Sequence, residues 1–72
     1  LDPARLELLR QVEARLVLTA KWAYVSAASE TTHPLRRAWA AAVAAQADAA
    51  MVDEDWLRAV RHWLAALVIL VL

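Results

Sequence analysis

The last ten residues, Trp63 to Leu72 (WLAALVILVL), form a run without a polar side chain. It follows a sharply acidic start, Asp53-Glu54-Asp55, so one helix passes from wet to wholly apolar along its length. A helix that is apolar all round must be buried all round, in a core, a partner or lipid. At about 1.5 Å per residue the run is only some 15 Å long, roughly half of a bilayer core. Its cover must come from the rest of the chain or from other copies.

The rest of the chain is poorly equipped to supply that cover. A domain of 72 residues leaves much of its surface exposed. Yet 62% of its residues are hydrophobic, against roughly 45–50% in ordinary soluble domains. The excess points to self-association, a partner or a membrane contact. Net charge is zero, so no field steers nucleic acid, and that class of partner is disfavoured. With no cysteine there is no disulfide, no thiolate chemistry and no cysteine-type zinc site. The heavily charged first fifteen residues do not read as a secretory signal.

Glycine is absent too. Helices commonly end on a left-handed glycine and tight hairpins usually need one. Long alanine- and leucine-rich runs without it predict an all-α chain with short polar links. Asp2-Pro3 opens the first helix as N-cap and first residue, and Leu6, Leu9, Val12, Leu16, Ala20, Ala23 and Ala27 trace its apolar face. This helix is expected over about 3–28. Ser29 to His33 form the link, and Pro34 starts a nearly polyalanine helix over about 34–50. Asp53 is the expected N-cap of the third helix, about 54–72, with Trp56, Val60, Trp63, Leu67 and Leu70 as its core stripe.

Short links make the three helices antiparallel neighbours, an up-down-up three-helix bundle forming one domain over 1–72. That topology gathers the apolar halves of the first and third helices at one end. A 17-residue alanine helix does not cover that end, so Val17, Val25, Ala66, Val68, Ile69 and Leu72 are expected to meet something outside the protomer. Covering about 600 Å² there is worth roughly 15 kcal/mol before entropy costs.

Few residues offer chemistry. Lys21, the only lysine, sits in an apolar stretch beside Trp22 and Tyr24. Lost hydration there suits a nucleophilic or basic lysine, but a stem lying on apolar surface with its ammonium in water is the commoner arrangement. His33, Arg36 and Arg37 crowd the start of the second helix, where basic groups oppose the dipole and a bound anion would relieve the conflict. Lys21, His33, Arg36 and Arg37 therefore make one candidate anion site, against the plainer reading of solvated side chains. His62 lacks a partner at metal-ligand spacing, so no metal or other cofactor is expected. Asp53, Glu54 and Asp55 are explained by capping.

Pro34-x-Arg36 opening the second helix and Val52-Asp53 opening the third resemble the all-helical chorismate mutase family over most of the chain. The resemblance implies an intertwined dimer and a dianionic substrate held by arginine and lysine, roles that fall on Arg36 and Lys21. Arg37 stands where that family carries an acidic partner. Capped, proline-opened, regular helices equally suit a designed bundle.

The expectation is a non-enzymatic helical bundle that assembles with itself through its apolar end. A small enzyme or anion-binding protein is one alternative. A subunit whose C-terminal helix meets a membrane or an apolar partner is the other.

Overall fold

A computed structural model describes residues 2–72. It contains α1 (Pro3–Glu30), α2 (Pro34–Val52) and α3 (Trp56–Val71), with no strand among the described residues. The chain is an all-α three-helix bundle.

Local chemistry sets each boundary. At the start of α1, Asp2 Oδ1 accepts the Arg5 N–H at 2.8 Å, and Pro3 takes the first helical position. The helix runs two residues further than expected. Ser29 and Thr31 turn their hydroxyls back onto the Ser26 and Ala27 carbonyls, at 2.7 and 2.8 Å, and so close the last turn instead of opening a link. His33 caps α2: its Nδ1 accepts the Arg36 N–H at 3.3 Å.

The turn between α2 and α3 corrects the expected boundaries. The second helix runs to Val52, and Asp53 is its C-cap rather than the N-cap of the third. Glu54 follows in the left-handed region at φ 56°. Its N–H donates to the Met51 carbonyl at 3.0 Å and the Asp55 N–H to the Ala50 carbonyl at 2.9 Å. This bond pair terminates a helix by the Schellman pattern, usually around a glycine. Asp55 then serves at once as the N-cap of α3, accepting the Arg58 N–H at 3.2 Å. Three consecutive acidic residues thus have three different duties.

α3 is the hub, packed along both α1 and α2, which barely touch each other. Trp63 lies beside Tyr24 of α1, ring centroids 5.4 Å apart, a separation at which tilted aromatic pairs attract. Trp56, one helix start earlier, shares a groove with Leu9 and Glu13. α1 and α3 are therefore parallel. α1, about 42 Å long, outreaches α3, about 24 Å, and its first turns run past the start of α3. The molecule is accordingly a rod of 47 × 19 × 15 Å.

Among the described residues the core consists of Val17, Trp63, Leu70 and seven alanines: Ala20, Ala40, Ala44, Ala47, Ala50, Ala59 and Ala66. α2 contributes only alanines to it, at positions that return to one face every three or four residues. With nothing larger than a methyl group on that seam, two helices can approach to the short end of the usual 8–10 Å range. The cost is little apolar area removed from water. Trp63 supplies much of what there is, and its indole N–H is buried without a hydrogen-bond partner, which typically costs about 1–3 kcal/mol.

Two substitutions test this arrangement by thermal unfolding. Glu54→Gly removes the left-handed penalty and should raise Tm by about 2–8 °C, the equivalent of about 0.5–1 kcal/mol in a domain of this size; an unchanged or lower Tm would contradict the turn geometry. Ala47→Leu should destabilise by about 1–3 kcal/mol through overpacking, whereas Ala45→Leu on the exposed face of the same helix should be close to neutral.

Candidate interaction surface

With alanine inside, the large apolar side chains stand outside. Leu9, Val12 and Leu16 of α1 are each close to half exposed, as are Leu64 and Val68 of α3, and Trp22 is 64% exposed. The inner side of α1 toward α3 is not the leucine stripe that the sequence suggests. It keeps Ala20 and Ala27 of the expected face and adds Val17, Tyr24 and Ala28 beside them, leaving Leu9, Val12 and Leu16 at its edge. α1 carries two apolar stripes, and the slimmer one accommodates the bulky Trp63. Residues missed by the sequence reading as surface are therefore Leu9, Val12, Leu16 and Leu64. Their signal was present as a second stripe beside the first.

The expected interface residues divide. Val17, at 2% exposure, and Ala66, fully covered, belong to the core of the protomer and have no surface to offer another molecule. Val17 faces α3 because the slimmer stripe does, and Ala66 is enclosed because the alanine seam draws α2 close. Ile69 is half-buried against the core. Val25 and Val68 are exposed, and Leu72 is 81% exposed at the chain end.

The four residues of the candidate anion site are not brought together into one pocket. Lys21 is half-buried, with Nζ 5.8 Å from the centroid of the Trp63 ring, so its charge faces an aromatic surface. Lys21 lies nine positions before Glu30, the end of α1, about 13 Å of helix, and His33, Arg36 and Arg37 lie beyond that end. The His33 ring nitrogen is occupied in capping, and the backbone N–H that an anion would seek at Arg36 is already donated to it. Arg36 and Arg37 are exposed and make no ion pair among the described residues.

Ordered polar contacts collect instead at the α2–α3 turn. Arg58 reaches Asp53 at 2.9 Å and Asp55 at 3.7 Å, bracing both sides of the Glu54 bend. The His62 Nδ1–H donates to the Arg58 carbonyl at 2.8 Å, and both residues line a shallow groove of about 250 Å³ with Gln46 and Ala49. A wider groove of about 540 Å³ runs between the projecting start of α1 and the start of α3, lined by Leu6, Leu9, Arg10, Glu13 and Trp56. Among the described residues no cluster of histidine and carboxylate side chains is placed to hold a metal ion. Among the described residues no helix is long and apolar enough to cross a membrane.

The Lys21–Trp63 contact is open to test by urea unfolding. Lys21→Gln should lose about 0.5–1 kcal/mol and Lys21→Arg should retain most of it; equal losses would show that only the aliphatic stem counts.

Compared with protein-family models, curated proteins and solved structures, the chain matches none, so the likeness to chorismate mutases rests on its short motifs alone.

Proposed function

We propose that this chain is a non-enzymatic helical module whose work is assembly with further copies of itself. The observation that supports this reading is the inversion of side-chain size: among the described residues seven of the ten buried ones are alanine, while leucines, valines and tryptophans remain exposed along the rod. Burial of alanine alone removes little area from water, at about 25 cal/mol per Å². A chain of this size is already short of buried surface. Covering the exposed stripes, which run along the rod and reach its apolar end at Val68 and Leu72, adds the missing stabilisation.

Solution mass by light scattering, over a hundredfold range of protein concentration, tests the proposal. The expected result is a fixed multiple of 8.0 kDa with dissociation only at the dilute end. A monomer throughout would overturn it. Flotation of that monomer with lipid vesicles would move the exposed stripes to a membrane surface, contacted from one side.

A further inference from the structure

We infer that two copies pair through α1 in antiparallel fashion, with Arg5 of each copy against Glu30 of the partner subunit. The inference rests on the self-assembly reading above and specifies its geometry. Leu9, Val12, Leu16, Thr19, Ala23 and Ser26 follow one another at alternating steps of three and four residues, the heptad spacing of a helix that lies against another helix. Arg5 stands four residues before this seam and Glu30 four after it. The seam flanks the stripe that α1 gives to α3 and meets it at Leu9, which also lines the groove beside Trp56; all eight positions are exposed except Ala23, which is half-buried. The heptad seam of α1 is thus complete and largely exposed.

Its occupant follows from charge and volume. A parallel pair would set Arg5 against Arg5 and Glu30 against Glu30, and would stack leucine on leucine at one end and serine on serine at the other. An antiparallel pair centred between Val17 and Leu18 removes both conflicts. Its layers oppose Leu9 to the partner's Ser26, Val12 to the partner's Ala23, and Leu16 to the partner's Thr19. Each large side chain meets a small one, and both ends close with an arginine opposite a glutamate. The same register brings the exposed Trp22 beside the partner's Arg15, at cation–π range for a guanidinium. The projecting start of each α1 then lies along the last turns of the other copy's α3, where Leu64 and Val68 are open.

The area is of the right order. The face of a helix about 42 Å long and 10 Å across, with the flank of α3 beside it, comes to roughly 600–700 Å² per protomer. Stable pairs bury about 800 Å² per partner.

The chain has no cysteine, which makes register measurable by cross-linking. Val12→Cys and Ala23→Cys proteins, mixed and mildly oxidised, should form a covalent dimer that neither forms alone. Arg5→Glu should weaken the dimer about tenfold by setting glutamate against glutamate twice. Mixing Arg5→Glu with Glu30→Arg should restore wild-type affinity, because each chain then meets its opposite charge at both ends. Efficient cross-linking of Val12→Cys with itself, or no rescue on mixing, would overturn this pairing while a dimeric mass left self-assembly standing. A monomeric unmodified chain would overturn both.

Discussion

The close contact between α2 and α3 governs everything else in this molecule. Four alanines of α2 are buried on α3, and each brings only a methyl group to the contact. Such a seam is economical in volume and poor in hydrophobic area, since stabilisation scales with the area removed from water. It also leaves little width at the centre, so large side chains are displaced to the flanks. The exposed leucines are in that sense a product of the alanine core. The largest residue of the core, Trp63, is held by Tyr24 and Lys21 of α1 and carries an unpaired indole N–H into the interior.

The absence of glycine has a visible consequence at one place only. Between α2 and α3 the chain reverses within three residues, and a residue with a side chain must accept a left-handed backbone. Glu54 does so. The penalty is offset nearby, where Asp55 caps the next helix and Arg58 holds Asp53 and Asp55 together. Between α1 and α2 the extended backbone of Thr31 and His33 makes the reversal without a positive φ. A glycine-free chain thus forms tight helical reversals, with capping carboxylates and an imidazole in place of conformational freedom.

α3 is a hub with two unequal neighbours, and this inequality gives α1 a free side. Because α2 scarcely meets α1, the side of α1 away from α3 is uncovered over most of 28 residues. A compact triangular bundle would have enclosed part of it. The rod instead leaves Leu9, Val12 and Leu16 of α1 about half exposed along its length. The basic residues Lys21, Arg36 and Arg37 are spread over two helices, with the cap of α2 already satisfied by His33.

Helix number, order and approximate extent were legible in the residues: Asp2-Pro3 and Pro34 are strong start signals, and glycine-free apolar periodicity leaves helices as the only regular option. The acidic triplet was legible as a capping region, but not in its division of labour, because three adjacent carboxylates offer the backbone three nearly equivalent caps. Only the bonds closing the last turn of α2 select Asp55 for α3. The choice between the two stripes of α1 was likewise undecided locally. Leu9, Val12 and Leu16 have the periodicity of a core face as good as that of Val17, Ala20 and Tyr24. What separates them in the fold is α3, whose Trp63 packs beside Tyr24 and under Lys21. The sequence by itself determined the helices, because caps and periodicity act within a few residues. The tertiary structure decided which face is inside, because that depends on the shape of a helix some forty residues away.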